Sequence, residues 1–488
     1  MHLSTLPDER AAVAPDSPAI RDDAGELSNR DLRDRVHRAA KALAARGVGR
    51  GDVVAILLPN RVELIVTLFA AWRLGAAVTP INPVLGAAEV GYQVADSGAR
   101  VIVSDTDLGL DVDLIGLDAL DEDGDATADA AADVHDLDDE QLALLIYTSG
   151  TTGTPKGVML THRNLDAMTS SFISWFELDA RDHSLLVLPL FHANGIVLGT
   201  LSPLRAGGQV SITGRFARDR FFADVERLRP TYFSAVPAIY ALLSSLDDSV
   251  QPDTSSLRFA VCGAAPMPAE AITRFEQRFD VTIVEGYGLS ETTTASTINP
   301  LRGVRKPGTV GLALPGQRVA IMDDQGQLLP AGAVGEIVIA GPVVMAGYLG
   351  KPEETARTIM DGWLHTGDIG RFDADGYLQI VDRIKDMIIR GGENIYPKEI
   401  ENALYTHPDV VEAAVVGAPD PVLGEVPVAY VAVRDGAAVS VADLTERVAE
   451  TLAAFKRPQR VLLLPELPKN PVGKIDKPAL RRRLAETS

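Results

Sequence analysis

The sequence has a single cysteine, Cys262, among its 488 residues. One cysteine excludes an intramolecular disulfide framework and a zinc site made only of cysteines. Basic residues are also scarce, since 46 Lys and Arg stand against 67 Asp and Glu and leave a formal net charge of −21. Nucleic-acid grooves and surfaces for anionic membranes need a basic footprint. The charge balance therefore argues against both classes of partner.

Long apolar runs are missing as well. No uninterrupted run reaches the roughly 18–20 residues that span a bilayer, and the most apolar stretch, residues 53–81, is broken by charged residues and prolines. The first fifteen residues lack the basic start and apolar segment of a secretory signal. We therefore expect a cytoplasmic protein without an integral membrane segment. The length and the hydrophobic fraction of 46% predict a globular chain of two or more domains.

Helix and strand patterns alternate in the first half of the chain. A helical pattern begins at Ser28 and ends before Gly47, residues 61–74 are also helical in pattern, and residues 53–58, 101–104 and 142–147 are short apolar runs typical of buried strands. This alternation predicts a parallel sheet covered by helices.

Residues 111–140 contain thirteen acidic residues and no Lys or Arg. We interpret this segment as a solvated surface connection, with an acidic docking tail as the alternative.

From about residue 304 the sequence pattern predicts short strands separated by frequent Gly and Pro, such as residues 319–322 and 335–340. Residues 373–376 (DADG) resemble the start of a calcium loop, but its twelfth position is Ile384, where a Glu is required. A hairpin turn is the better interpretation. The last hundred residues form their own unit, with strands at residues 411–416 and 428–433 and a helix that begins at Ser440 and runs to about residue 455.

Residues 147–157 (YTSGTTGTPKG) follow a predicted buried strand. Glycines let a backbone approach phosphate oxygens closely, hydroxyls donate to those oxygens, and Lys156 adds a positive charge. A Ser/Thr/Gly-rich linker would not end in Pro-Lys-Gly directly after a strand. A P-loop requires Gly-Lys followed by Ser or Thr, whereas Lys156 here precedes Gly157. The segment therefore predicts a phosphate-binding loop of another type.

This loop resembles the signature loop of the adenylate-forming superfamily, which contains the acyl-CoA synthetases (the AMP-dependent synthetase and ligase family), the adenylation domains of peptide synthetases and the luciferases. Four further segments resemble the family's motifs and follow in its order: residues 285–293 (EGYGLSETT), 365–368 (HTGD), 382–386 (DRIKD) and 468–474 (PKNPVGK). The resemblance covers roughly residues 25–480. One departure is Asp382, where the family usually has Gly.

The resemblance implies an α/β fold with a large N-terminal domain of helix-covered sheets and a small β-rich subdomain, residues 1–384. A mobile α+β domain, residues 385–488, would carry the catalytic lysine. It also implies an enzyme that uses ATP and Mg²⁺ to convert a carboxylic acid into an acyl-adenylate, and then coenzyme A to form a thioester.

Two negatively charged groups must meet in the first step, so catalysis is chiefly charge neutralisation and positioning. The family's catalytic positions correspond to Lys474, Glu291, Thr151 and His192, of which Glu291 and Thr151 would bind Mg²⁺. The resemblance places at ATP or AMP the residues Thr148, Ser149, Gly150, Thr151, Thr152, Gly153, Thr154, Lys156, Gly263, Ala264, Ala265, Pro266, Glu285, Gly286, Tyr287, Gly288, Ser290, Glu291, Thr292, Asp368, Arg383 and Lys474.

In the family, the C-terminal domain rotates about a hinge residue that corresponds to Lys385, which would withdraw Lys474 and bring a second loop to the site. That loop would bind CoA through Arg390, Gly391, Gly392 and Glu393. The acyl pocket would be formed by His192, Asn194, Gly195, Val236, Pro237 and Gly286. No carrier-protein serine motif follows Lys474, which favours CoA over a carrier protein as the acceptor.

The predicted pocket segments are apolar apart from Asn194 and Tyr240, which favours a neutral acid tail. We expect a medium-chain fatty or aryl monocarboxylate. A malonate- or oxalate-like acid stays open because Arg215 could serve its second carboxylate. Three further functions stay open: a ligase that loads an acyl carrier protein, a luciferase-like oxygenase and a non-catalytic ATP-binding regulator. The presence of Lys156, Glu291 and Lys474 disfavours the regulator.

The spacing from Pro468 to Gly473 and Lys474 resembles the segment that protein acetyltransferases modify in acyl-CoA synthetases. Acetylation would remove the lysine charge that adenylation requires. The resemblance thus implies a protein acetyltransferase as a further partner. The alternative is that this spacing only shapes the loop and that no acetyltransferase acts on it.

Overall fold

The computed structural model describes residues 2–121, 138–148, 155–265, 267–434, 436–469 and 475–486. By its internal contacts the chain divides into two compact units. The first contains Met1–Val319 and Ile339–Leu364, and the second contains Ala320–Val338 and His365–Ser488. The predicted β-rich strands at residues 319–322 and 335–340 thus fall mainly in the second unit. The division at residues 384 and 385 concerns a rotating segment and stays a prediction.

The α-helices of the described chain, in sequence order, are α1 (Leu6–Val13), α2 (Asn29–Ala45), α3 (Val62–Arg73), α4 (Ala87–Ser97), α5 (Leu117–Asp121), α6 (His162–Phe176), α7 (Ala193–Ile196), α8 (Ser202–Arg205), α9 (Arg218–Leu228), α10 (Pro237–Ser244), α11 (Ala269–Phe279), α12 (Pro352–Thr358), α13 (Pro397–Tyr405), α14 (Val441–Thr451) and α15 (Lys477–Glu486). Short 3-10 turns are formed by Leu3–Thr5, Ser290–Thr292, Ile384–Asp386 and Ala454–Lys456.

Two large sheets form the first unit. The nine-stranded sheet has the order β15 (Leu312–Ala313), β14 (Thr297–Ile298), β13 (Ile283–Tyr287), β12 (Phe259–Cys262), β11 (Tyr232–Ala235), β9 (His183–Leu186), β10 (Gln209–Ile212), β1 (Pro18–Asp22), β2 (Gly25–Ser28). The seven-stranded sheet has the order β18 (Gly347–Tyr348), β8 (Lys156–Thr161), β7 (Leu142–Thr148), β4 (Ala77–Pro80), β3 (Val53–Leu57), β5 (Val101–Ser104), β6 (Asp113–Ile115).

The middle strands of both sheets are parallel and are buried on both faces. Strands β3, β4 and β5 are buried along their whole length, as is expected where helices cover a parallel sheet. Helix α3 is buried from Val62 to Trp72 because its apolar residues surround the whole helix. These features confirm the predicted α/β class.

The remaining strands form two smaller sheets. One contains β16 (Arg318–Met322), β17 (Gly335–Ala340), β20 (Trp363–Phe372), β19 (Ile359–Met360) and β21 (Leu378–Arg383), and the other contains β23 (Glu393–Ile395), β22 (Ile388–Arg390), β25 (Gly424–Val433), β24 (Val410–Asp420) and β26 (Arg460–Leu464). Strands β20 and β21 are antiparallel, and Asp373 at their turn accepts the N–H groups of Asp375 and Tyr377. The predicted hairpin turn is confirmed.

Two local predictions need correction. The helix that begins after Ser440 ends at Thr451 rather than near residue 455, because Leu452 is extended and the Arg457 side chain donates to the carbonyls of Leu452 and Ala449. The acidic segment at 111–140 is not entirely a connection. It begins with β6 and α5, whose Ile115 and Leu120 are buried, and residues 122–137 lie outside the described residues.

Within the described residues, no helix is both long and apolar enough to cross a membrane.

Candidate active site

Four neighbouring parallel strands of the large sheet end at the same edge. The order β13, β12, β11, β9 is fixed by pairs such as Cys262 with Glu285 and Ala235 with Cys262. The segments that follow these strands therefore lie side by side, which is the usual position of ligand sites in open α/β sheets. Gly263 and Val236 directly follow β12 and β11, and Gly286 lies near the end of β13; all three are predicted site residues.

The segment after β12 contains Gly263, Ala264 and Ala265, while Pro266 lies outside the described residues. Ala264 has φ of 68°, so the backbone turns sharply just beyond the strand. A Cβ atom at Gly263 would lie 3.5 Å from the carbonyl oxygen of Gly286. The preceding Cys262 is buried, and burial raises the pKa of its thiol, so it is a packing residue.

The predicted phosphate loop joins two antiparallel strands. Thr148 at the end of β7 pairs with Lys156 at the start of β8. The loop residues Ser149, Gly150, Thr151, Thr152, Gly153 and Thr154 lie outside the described residues. Lys156 forms an ion pair with Glu354, and its Nζ lies 5.2 Å from the ring centroid of Tyr348.

Helix α4 supports both ends of this hairpin, a role that was not anticipated from the sequence. The Tyr147 hydroxyl donates to Asp96 Oδ2 at 2.7 Å, and the Tyr92 hydroxyl donates to the carbonyl of Pro155 at 3.0 Å. Burial raises the pKa of Tyr147, so the phenol remains a donor. The sequence contained one indication of this role, since Tyr92 and Asp96 are four residues apart and therefore lie on one face of a helix.

The predicted Glu285–Thr293 motif spans the end of β13 and the turn that follows it. Glu285 is buried, Tyr287 is half-buried, and Gly288 leaves no room for a side chain, because a Cβ there would lie 2.3 Å from the carbonyl oxygen of Thr294. Ser290–Thr292 form a 3-10 turn. Thr292 is fully buried, and its hydroxyl exchanges hydrogen bonds with the backbone of Leu289. Its predicted contact with phosphate stays a prediction.

Glu291, the predicted metal ligand, is held by the segment that precedes α12. Tyr348 donates its hydroxyl hydrogen to Glu291 Oε1 at 2.8 Å, and the Met345 N–H donates to the Glu291 carbonyl at 2.9 Å. Tyr348 therefore contacts both Glu291 and Lys156, which belong to two motifs far apart in the sequence. Tyr348 was not identified from the sequence.

The predicted gate residues begin a helix with an unusual middle turn. His192 is the N-terminal flanking residue of α7, with Asn194 and Gly195 in its first turn, and α7 continues into a π-helical turn, Val197–Leu201, before α8. The Thr200 hydroxyl donates to the Gly195 carbonyl five residues earlier, which stabilises the wide turn. The Asn194 Oδ1 atom is buried and accepts no hydrogen bond within the described structure. π-Helical turns occur frequently at functional sites.

Val236 and Pro237 begin α10 directly after β11. We expected Tyr240 to be a polar group of the same pocket wall, and this was wrong. Tyr240 is fully buried in an apolar cluster, and its hydroxyl donates to the Val261 carbonyl at 2.8 Å. Position 286 is also closely packed, since a Cβ at Gly286 would lie 2.9 Å from Ile298 Cγ1.

In the second unit, Asp368 and Arg383 face each other across β20 and β21. Arg383 Nε donates to Asp368 Oδ1 at 2.8 Å, and the Asp368 side chain is buried. Glu336 fixes this motif, because its carboxylate accepts the Gly367 N–H at 2.9 Å and bonds to His365 at 2.7 Å. Glu336 was not identified from the sequence, because its role depends on a strand that precedes the motif.

The predicted hinge residue Lys385 is exposed and lies between two buried carboxylates, Asp382 and Asp386. Asp382 accepts the N–H groups of Arg383 at 2.7 Å and of Lys398 at 2.8 Å, and burial raises its pKa to about 6. Asp386 accepts from Arg481 at 2.7 Å.

The predicted CoA loop is the turn between β22 and β23. Arg390 and Glu393 pair across the turn, while Gly391 and Gly392 have φ of 60° and 90°. Arg390 donates to the carbonyl of Phe455. Lys474, the predicted catalytic lysine, lies outside the described residues.

Comparison with known proteins identifies the family. Residues 7–349 match the AMP-binding enzyme model, and residues 399–474 match the AMP-binding enzyme C-terminal domain. A feruloyl-CoA synthase from an Amycolatopsis species is 39% identical, with 99% of each chain covered. A sulfoacetate–CoA ligase from Cupriavidus necator is 38% identical, with 97% of this chain and 96% of the relative covered.

Solved structures give the same result. ATP-bound MatB from Rhodopseudomonas palustris superposes with a TM-score of 0.92 at 32% identity, covering 100% of this chain and 99% of that chain. The predicted family is therefore confirmed. The chain belongs to the AMP-binding enzymes of the adenylate-forming superfamily, and its class is that of the AMP-forming acyl-CoA synthetases.

Proposed function

We propose that this protein is an ATP-dependent carboxylic acid:CoA ligase in which the motif residues have the roles expected above. The acid's carboxylate oxygen attacks the α-phosphorus of ATP and expels pyrophosphate, and the thiol of CoA then displaces AMP from the acyl-adenylate. The observation that carries the proposal is the contact of one side chain, Tyr348, with both Lys156 and Glu291. It joins the phosphate-loop hairpin to the carboxylate of the second motif.

Mg²⁺ fits the donor set of this chain. Magnesium is usually held by one or two carboxylates together with phosphate oxygens. Glu291 offers a half-buried carboxylate whose Oε1 atom accepts the Tyr348 hydroxyl. Within the described residues, no group of three or more His, Cys, Asp or Glu side chains forms a metal site, which agrees with a metal that the substrate phosphates help to hold. When bound, Mg²⁺ supplies charge neutralisation to the phosphates, and Thr151 is the proposed second ligand.

The protein's own residues provide the rest of the first step. Lys156 and Lys474 supply positive charge to the phosphate and carboxylate oxygens. Asp368, an acceptor with two oxygens, suits the ribose hydroxyls, and Arg383 orients it through the bond at 2.8 Å. Rotation at Lys385 then brings the Arg390–Glu393 loop to the thiol acceptor.

The proposed acid is a medium-chain fatty or aryl monocarboxylate. The helix after His192 is apolar at Ile196, Val197 and Leu198, which favours a tail without charge. The 39% identity to a feruloyl-CoA synthase supports an aryl tail.

A second candidate is an acid with a second anionic group. Arg215 is exposed, lines a small cavity of about 70 Å³ with Val187 and Thr213, and forms no ion pair in the described part of the chain. The 38% identity to a sulfoacetate–CoA ligase supports this candidate.

The test is an activity panel with the purified protein, ATP, Mg²⁺, CoA and fatty, aryl, dicarboxylic and sulfonated acids. AMP release that requires CoA supports the ligase, whereas release that requires a carrier protein or oxygen, or no release, contradicts it. Arg215→Gln should abolish activity only with dianionic acids, because it removes the cation that would bind the second charge. Unchanged use of dianionic acids by this variant would show that Arg215 does not bind the second anionic group.

Two further parts of the proposal concern the cell. We place the enzyme in the cytoplasm, in keeping with its single cysteine. We also propose that a protein acetyltransferase modifies Lys474, which would remove its charge and stop adenylation. Mapping of acetylation sites after treatment with acetyl-CoA and such an enzyme tests this, and modification confined to other lysines contradicts it.

A further inference from the structure

One short segment, residues 343–355, connects the two charged ends of the proposed nucleotide site. Its strand β18 pairs antiparallel with β8, so that Tyr348 lies opposite Val158, two residues after Lys156. The Leu349 N–H donates to the Gly157 carbonyl at 2.8 Å. The segment is thus fixed to the strand that begins with Lys156.

The same segment is fixed to the Glu291 turn. The Met345 N–H donates to the Glu291 carbonyl at 2.9 Å, and the Thr293 hydroxyl donates to the Val343 carbonyl at 2.6 Å. Thr293 has φ of 61°, a left-handed conformation that costs a threonine energy. The turn is therefore held in its conformation by these neighbours.

Tyr348 is the side chain through which this segment contacts both Lys156 and Glu291. It is 8% exposed, its hydroxyl donates to Glu291 Oε1 at 2.8 Å, and the Lys156 ammonium lies 5.2 Å from its ring centroid. An ammonium at this distance from an aromatic ring is attracted to it.

Two residues of α12 make further contacts with Tyr348 and Lys156. The Tyr348 N–H donates to the Thr355 hydroxyl at 2.9 Å, and Glu354, the preceding residue, forms the ion pair with Lys156. Lys156 is thus placed by an anion and a ring that belong to one segment.

We propose that Tyr348 is a positioning residue, which orients the Glu291 carboxylate toward the metal and holds the Lys156 ammonium beside the phosphates. This rests on the proposed function, in which Glu291 is the Mg²⁺ ligand. The hydroxyl bonds to Oε1 and would leave Oε2 to bind the cation, while the ring would keep Lys156 in place independently of the hydroxyl.

The two contacts can be separated by substitution. Tyr348→Phe removes only the hydroxyl, Tyr348→Leu removes the ring as well, and Tyr405→Phe is the matched control, because its hydroxyl bonds to a backbone N–H in the second unit. Binding of a non-hydrolysable ATP analogue is measured by calorimetry, with Mg²⁺ and with EDTA. Pyrophosphate exchange gives KM for the acid, and thermal melting reports folding.

For Tyr348→Phe we expect the Mg²⁺ concentration at half-saturation to rise about tenfold, the effect of losing a hydrogen bond to a charged group. Binding of the analogue in EDTA and KM for the acid should stay unchanged. Tyr348→Leu should weaken binding in EDTA too, since Lys156 loses the ring.

Unchanged Mg²⁺ dependence in Tyr348→Phe would overturn the inference, as would an equal loss with Mg²⁺ and with EDTA, because a general structural defect affects both. Glu291→Gln separates this from the proposed function. If that variant loses Mg²⁺ dependence while Tyr348→Phe keeps it, only the positioning role fails. If Glu291→Gln keeps it, the proposed metal ligand is wrong and the inference falls with it.

Discussion

Burial of the Asp382 carboxylate should make the folding free energy of the protein depend on pH, and the size of the effect follows from its pKa. Asp382 is 5% exposed, and burial raises its pKa from 3.8 to about 6, although Lys477 nearby favours the charged form and Glu401 opposes it. This difference corresponds to about 3 kcal/mol of folding free energy.

The sign follows from proton linkage. In the unfolded chain Asp382 loses its proton near its ordinary pKa, whereas in the folded chain it keeps the proton up to about pH 6. The folded state therefore binds more protons between these values, and stability falls as pH rises through this window. The contribution is fully present below the unfolded pKa and is lost above the folded pKa.

Asp382→Asn removes this titration and keeps the side-chain shape. An amide oxygen can accept from only one of the two N–H groups, of Arg383 and Lys398, which adds a loss that does not vary with pH. Urea unfolding of both proteins across this pH window should show the stability of wild type falling relative to the variant by about 3 kcal/mol. Other carboxylates are present in both proteins and cancel in the difference.

Asp324→Asn, an exposed aspartate in the same unit, is the control and should follow wild type at every pH. A difference between wild type and Asp382→Asn that is constant with pH, or that has the opposite slope, would refute the reasoning.

Two other predictions address the site directly. Lys474→Ala should reduce adenylate formation by at least about a hundredfold, because the lost cation stabilises only that step. Thioester formation from supplied acyl-AMP should be unaffected. If the two half-reactions, measured separately, were reduced equally, the proposed role of Lys474 would be contradicted. Gly288→Ala should destabilise the protein by about 1–3 kcal/mol, because the new Cβ would meet the Thr294 carbonyl at 2.3 Å. Gly116→Ala, with nothing within 4 Å of the new atom, is the control in thermal melts, and equal melting temperatures would show that the turn yields.

Short apolar strands were the elements that the sequence predicted best. Residues 101–104 and 335–340 were predicted with the bounds that the structure has, because each contains three consecutive β-branched apolar residues at its centre or start, Val101–Val103 and Ile337–Ile339. Helix ends were harder. The end of α14 depends on the Arg457 guanidinium, which folds back onto two carbonyls from outside the helix, and no periodic pattern records such a contact.

Some residues of the candidate site were predicted from the sequence, and others were not. Motif residues such as Glu291 and Asp368 were predicted because the resemblance identifies each of them directly. Tyr348 and Glu336 were missed, since their importance comes from partners that only strand pairing brings near. The π-helical turn after α7 was missed because the Thr200 and Ser202 hydroxyls donate to carbonyls five residues earlier, and hydrophobic periodicity does not record such bonds.

Asp382, which stands where the family usually has Gly, lies just before the predicted hinge residue Lys385. Asp382 precedes Lys385 and accepts the N–H of Lys398, which follows it, so this bond joins the two sides of the predicted pivot. Asp386 and its partner Arg481 both follow Lys385 and would move together. A rotation at Lys385 must therefore break the Asp382 bond and can keep the Asp386 bond. A glycine at position 382 would offer no such acceptor, so the aspartate would add to the predicted hinge a bond whose strength varies with pH near its pKa of about 6.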